Sequence, residues 1–197
     1  MRYFLRFLLL GLLSASSLPA MTFTLQSGGN GQEVNLYWQR VINESTIGRY
    51  TLGYVRMKDE FDTSQNYPYL EASALDKRLF RHWTFAAGMR LLRMDIDVGN
   101  NGSYDLTGLP VRLSAFFHLP IEHKSFVRFD YFYAPDFLMI SDDFDSYTGI
   151  RMEFHMDTGW ETLRAFVGGS RIDLEPKDTA GSYEMENDIF MGIRYSF

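Results

Sequence analysis

From Tyr183 to Phe197 the chain alternates between two kinds of residue, and a period of two leaves few folds open. Tyr183, Met185, Asn187, Ile189, Met191, Ile193, Tyr195 and Phe197 fall on one side. Glu184, Glu186, Asp188, Phe190, Gly192, Arg194 and Ser196 fall on the other. Successive side chains of a strand point to opposite faces, whereas helical spacing would mix these two sets. The segment reads as a strand with one apolar and one mainly polar face.

The pattern recurs upstream. Trp83, Phe85, Ala87, Met89 and Leu91 oppose His82, Thr84, Ala86, Gly88 and Arg90; Leu109, Val111, Leu113, Ala115 and Phe117 oppose Arg112, Ser114, Phe116 and His118. Val127, Phe129, Tyr131 and Tyr133 oppose Phe126, Arg128, Asp130 and Phe132, and Ile150, Met152, Phe154 and Met156 oppose Tyr147, Gly149, Arg151, Glu153 and His155. Weaker alternation covers 33–41, 49–57, 67–75 and 162–173, and Thr22 to Gln26 reads as a short opening strand. Ten strands result, with eight as the alternative if two weak ones merge. The connections alternate in length as well. Residues 42–47, 76–79, 119–124 and 157–160 are tight; 58–66, 95–106, 135–145 and 174–181 are long and polar, and on that second side only the first link, 28–32, is short. Short periplasmic turns and longer external loops are the habit of outer-membrane barrels.

Alternation alone does not separate a membrane barrel from a soluble one, since a lipocalin-like barrel alternates with its apolar face inward. The charges decide. The polar face carries Arg90, Arg112, Arg128, Arg151, Arg164 and Arg194 together with Glu71, Asp130, Glu153, Glu184, Glu186 and Asp188. An arginine facing hydrocarbon near mid-membrane costs roughly 2–4 kcal/mol, so this face is expected to line the lumen. Trp38, Tyr54, Trp83, Phe117, Tyr133, Tyr183 and Tyr195 fall near strand ends on the apolar face, where interfacial girdles form.

The beginning of the chain agrees with export. Arg2 and Arg6 precede the apolar run Phe7 to Leu13 and a small, weakly polar stretch ending at Ala20, the plan of a cleavable signal peptide. That run is too short for a helical span. Residues 1–20 are therefore expected to be a leader, cut after Ala20, and 21–197 one all-β domain, an antiparallel transmembrane β-barrel of the outer membrane. The chain carries 19 Lys and Arg against 25 Asp and Glu, and losing Arg2 and Arg6 makes it more acidic, which argues against nucleic acid as a partner. With no cysteine, disulfides, thiolate metal sites and Cys nucleophiles are excluded.

Two resemblances follow from these residues. Phe197, with Ile193 and Tyr195 at the alternate positions before it, looks like the C-terminal signal read by the barrel assembly machinery. This implies that machinery, periplasmic chaperones and outer-membrane lipid as partners. The segments FVRFDYFYAPDFL (126–138), DSYTGIR (145–151) and TLRAFVGGSRIDLEPKD (162–178) resemble the YfaZ family of outer-membrane proteins. The match is good over the C-terminal half and rests on strand spacing over the N-terminal half. It implies a porin-like barrel and supplies no catalytic residue.

Within the lumen, matched charges are expected to pair and fill the interior, with a narrow solute path as the alternative. Inward Gly53, Gly88, Gly149, Gly168 and Gly192 would make room for long neighbours. His82, His118 and His155 lack metal-ligand spacing, and Asp142, Asp143 and Asp145 lack the calcium-loop pattern, so neither a metal nor a cofactor is expected. Ser170 in Gly168-Gly169-Ser170-Arg171 has no adjacent base, which leaves a lipid-modifying enzyme the weakest reading. A small porin-like barrel with a narrow, charge-filled lumen is the expectation. A surface-interaction protein working through its loops is the alternative.

Overall fold

The strands form one sheet that closes on itself into a ring. The computed structural model describes residues 21–58, 64–76, 82–97, 103–120, 125–177 and 182–197, so the expected leader (1–20) and parts of several connections lie outside the described residues. The strands are β1 (Met21–Gly28), β2 (Gly31–Val41), β3 (Thr46–Lys58), β4 (Ser64–Asp76), β5 (Trp83–Asp97), β6 (Ser103–Gly108), β7 (Val111–His118), β8 (Phe126–Pro135), β9 (Phe144–Asp157), β10 (Leu163–Pro176) and β11 (Tyr183–Ser196). All pairings are antiparallel.

β6 and β7 are one barrel strand, which makes the fold a closed ten-stranded barrel. Both pair with β5 in one unbroken register, from Asp97↔Ser103 down to Trp83↔Phe117. The interruption is Pro110, which has no N–H to give to a ladder. Its carbonyl still accepts from the Arg90 N–H at 2.9 Å. On the other edge of β6 the partner changes. A 3-10 turn at Asp136–Leu138 carries the chain past the end of β8, so that Leu109 N–H donates to Leu138 O (2.9 Å) and Gly108 bridges to Met139. The registers accumulate a stagger of about 12 residues around the ring, which tilts the strands roughly 40° and sets the backbone diameter near ~19 Å. A ring this narrow can be filled by side chains alone.

Met21 and Phe197 lie at one end of the barrel, joined by paired backbone hydrogen bonds of 3.1 and 3.0 Å. This lower rim also holds the turn at 42–45, where the Asn43 side chain accepts from the Ser45 and Thr46 N–H groups, and the Asp157-to-Leu163 turn with Gly159 at φ 80°. Above it the outer surface is an apolar belt. Leu25, Leu52, Leu70, Met89, Leu113, Phe129, Ile150, Met152, Ile189, Met191 and Ile193 are all exposed on it. Soluble monomers rarely expose a contiguous apolar patch beyond a few hundred square ångströms, and a belt around a whole barrel far exceeds that. Polar inside and apolar outside is the arrangement of a membrane-spanning barrel.

Higher up, the amphipathicity inverts. Inward Val55, Met57, Tyr67, Leu92, Met94, Ile96, Leu106, Tyr147, Ile172 and Leu174 form one buried cluster, while Arg56, Lys58, Arg93, Asp95, Asp105, Arg171 and Glu175 point outward and are exposed. This inversion corrects the expected boundaries. Residues 95–106, expected as a loop, are largely strand: β5 and β6 continue as a hairpin whose outer face meets water. The same holds for 58–66, partly taken up by β3 and β4, and for 174–181, where β10 reaches Pro176.

A second correction falls on the closing strand. The register shifts between Ile172 and Asp173, which pair with Glu186 and Glu184, leaving Met185 as an extra residue. A β-bulge of this kind changes which side the following residues face. Tyr183 and Met185, expected on the lipid face, are therefore buried within the barrel. Glu184, expected in the lumen, faces outward, 3.5 Å from exposed Arg171. Tyr183 consequently does not belong to an interfacial girdle.

Candidate functional site

The middle of the lumen is occupied by a connected set of charges, built strand by strand from inward positions. Glu71 on β4 accepts from Arg90 on β5 (Nη2 to Oε2, 2.9 Å) and also from Arg112 on β7. Arg112 donates in turn to Asp130 on β8 (2.9 Å). Arg128 Nε lies 2.8 Å from the other Asp130 oxygen, an ion pair whose N–H points off the line of a hydrogen bond. Arg128 Nη1 donates to Glu153 on β9 at 3.1 Å, and Arg151 Nε donates to the second Glu153 oxygen at 2.7 Å.

From Arg151 the set crosses the lumen. Its Nη1 donates to Glu33 on β2 at 2.6 Å and its Nη2 reaches Gln26 on β1. Glu33 also accepts from the Tyr69 hydroxyl (2.7 Å) and from Asn35 Nδ2 (2.8 Å). The Tyr69 ring lies under the Arg90 guanidinium at 4.0 Å, which returns to the starting strands. Four arginines thus alternate with four carboxylates in a chain of ion pairs that Tyr69 closes into a circuit. Each carboxylate serves at least two donors, the condition under which buried charges are tolerated.

Small residues make the circuit possible. A Cβ at Gly53 would stand 2.2 Å from the Tyr69 ring and 2.5 Å from Asn35 Oδ1. Only glycine lets that ring cross β3 to reach Glu33. Gly192 similarly makes way for Phe166, whose ring would sit 2.4 Å from its Cβ.

Little space remains. The residues around the circuit enclose about 40 Å³ of free volume, and the layer above it, under Tyr67 and Ile172, about 10 Å³. The first holds a few waters and no solute. Above both sits the apolar cluster, so a charged layer and then an apolar one follow each other along the lumen.

The other expected lumen residues lie apart from this circuit. Glu186 accepts from the Ser170 hydroxyl next to the apolar layer. Asp188 caps the β1–β2 turn, accepting from Gly29 N–H (2.9 Å) and Asn30 N–H (3.2 Å). Arg164 and Arg194 line a cavity at the lower rim, and Arg194 also borders the space around the circuit. Glu33, Gln26, Asn35 and Tyr69 were not singled out from sequence. The signal was present, since Glu33, Asn35 and Tyr37 alternate against Val34, Leu36 and Trp38 in the weak second strand.

His155 Nε2 is 2.7 Å from Glu153, but the ring is fully buried, stacked on Phe126 at 4.3 Å and against Phe166 at 5.0 Å. The acidic upper turn is tied to the fold: Asp143 accepts from Asp105 N–H at 2.7 Å, and Lys177 bonds Asp136 at 3.0 Å.

No protein-family model matches the chain, and no curated protein matches it. Among solved structures it resembles the KdgM porin, with 10% identity, a TM-score of 0.45, and coverage of 90% of this chain and 99% of that one. It also resembles the translocator domain of the autotransporter NalP from Neisseria meningitidis, with 14% identity, a TM-score of 0.40, and coverage of 95% and 91%. The likeness to the YfaZ family rests on the motifs quoted above.

Proposed function

We propose that this chain is a porin-like outer-membrane barrel whose lumen is closed at rest by its own side chains. Its role is to span the membrane as a rigid structural element, with passage limited to water and the smallest ions. The observation that carries this reading is the closed Arg–carboxylate circuit lying under an apolar layer. An open pore would be wetter and dominated by one sign of charge. The apolar belt supports contact with lipid, and the tight lower turns support a periplasmic position for that rim.

Planar-bilayer recording tests the lumen. Refolded protein is expected to give no stable conductance step of general-porin size, and its liposomes are expected not to swell in arabinose. Large, long-lived openings of the wild-type protein would contradict the closed lumen.

Orientation has its own test, made clean by the absence of cysteine. A membrane-impermeant maleimide added to intact cells is expected to label Asp142→Cys, at the fully exposed upper turn, and to leave Ser45→Cys in a lower turn unlabelled until the cells are opened. Equal labelling of both in intact cells would overturn the proposed placement.

A further inference from the structure

Below the charge circuit the lumen widens into a cavity of about 480 Å³ that opens at the lower rim. That volume lies within the range of small-molecule sites. We propose that it binds a small organic anion, a carboxylate or phosphate carried on a ring-sized apolar body.

The charges around it are unbalanced, in contrast to those above. Arg49, Arg164 and Arg194 line the cavity, and the one carboxylate among its lining residues is Glu161, which is exposed to solvent. None of the three arginines makes an ion pair with a carboxylate among the described residues. Arg194 is only 9% exposed, and its Nε has no hydrogen-bond partner. Arg49 donates to Gln39, at 2.9 and 3.2 Å, once that amide is turned with its oxygen toward the guanidinium.

Register sharpens the point. Arg164 and Arg194 are direct partners across β10 and β11, both pointing inward. Like charges directly opposite on neighbouring strands repel. Arg164 has Asp157 on its other flank, across β9, whereas Arg194 has Thr24 on β1, so a bound anion would offset the charge left on Arg194 and its neighbours.

The ring contacts indicate where such an anion would bind. Arg49 lies over Tyr37 at 4.9 Å, Arg194 over the same ring at 5.5 Å, and Arg164 over Phe126 at 5.7 Å. A guanidinium donates in its own plane, so stacking occupies its faces and leaves its N–H edges available. Phe116 and Phe126 supply apolar wall, and the Thr84 hydroxyl, 3.0 Å from His118 Nε2, adds a polar group. Cationic edges beside aromatic faces suit an anionic head on a ring better than a bare inorganic ion. Because the lumen is blocked above, the site is a blind pocket entered from the lower rim. That this rim faces the periplasm rests on the proposed orientation; the binding itself does not.

Calorimetry of the refolded barrel in non-ionic micelles tests this, since both ends are then wet whichever way the protein sits in a membrane. Phenyl phosphate is expected to bind, benzyl alcohol not to, and inorganic phosphate to bind at least tenfold more weakly than phenyl phosphate. Arg164→Gln and Arg194→Gln should each weaken phenyl phosphate at least tenfold, with heat-modifiable gel mobility reporting that the barrel still forms. Phenyl phosphate should raise the melting midpoint of the wild type. Arg164→Gln should abolish the ligand-induced shift. Equal heats from phenyl phosphate and benzyl alcohol would overturn the proposal, as would unaltered binding to folded Arg164→Gln. Inorganic phosphate binding as well as phenyl phosphate would overturn the organic part. None of these failures would alter the labelling or conductance results.

Discussion

Glu153→Ala is expected to lower the unfolding free energy of the refolded barrel by about 3–5 kcal/mol, measured by urea titration in lipid vesicles. Glu153 is almost wholly buried and accepts from Arg128, Arg151 and His155 at 3.1, 2.7 and 2.7 Å. Removing it leaves two guanidiniums facing one another across a gap too small for more than a few waters. Glu175→Ala is the matched control. That carboxylate bonds the Ser146 hydroxyl on the exposed upper rim, and its loss is expected to cost no more than ~0.5 kcal/mol. Adding Arg128→Met to Glu153→Ala should recover part of the loss, because Asp130 keeps Arg112 and Arg151 keeps Glu33. If Glu153→Ala unfolds at the wild-type urea concentration, the circuit does not hold the lumen together.

The strands were legible in the sequence because, within the membrane belt, one physical contrast governs every one of them. Arginines and carboxylates must be enclosed, and Leu113, Met152 or Ile193 must not be, so period two appears with a constant sign. The reading failed where that sign changes. Above the belt the outer face of β5 meets water, so Arg93 and Asp95 point out while Leu92, Met94 and Ile96 point in. Taken with the belt's polarity, that stretch looks like a loop; taken with the opposite polarity, it is a strand. The closing strand failed for a related reason. Its 15 alternating residues look uniform, yet the extra Met185 moves Tyr183 to the inside, and no local feature of the sequence marks a bulge there.

The candidate site was legible as an inventory and not as a circuit. Arg90, Arg112, Arg128, Asp130, Arg151 and Glu153 could be assigned to the inner face by parity alone. Who pairs with whom depends on register and on reach across the lumen. The Arg151–Glu33 contact joins residues 118 apart in the chain, on strands that are not neighbours in the sheet. Likewise, six inward arginines look equivalent in sequence. Geometry separates the four that share carboxylates in the circuit from Arg164 and Arg194, which face each other across β10 and β11 and show no ion pair among the described residues.

Leu113→Arg is the substitution whose cost depends most on what surrounds the barrel. Leu113 sits at the middle of the outward stripe from Leu109 to Phe117 and is 53% exposed. In a water-soluble barrel, arginine at so open a position would change stability by less than about 0.5 kcal/mol. Facing hydrocarbon, the same change costs roughly 2–4 kcal/mol, since the guanidinium must snorkel or draw water into the bilayer. Urea unfolding in lipid vesicles is expected to show the larger value. Asp95→Arg serves as the comparison, being on the same outer face of the barrel but above the belt and directly opposite Asp105. It replaces a like-charge pair by an opposite one, so it should cost nothing or stabilise slightly. A Leu113→Arg barrel as stable as wild type in vesicles would mean that the apolar belt does not meet lipid. With the belt out of hydrocarbon, there would be no physical reason left for the arginines to be inside.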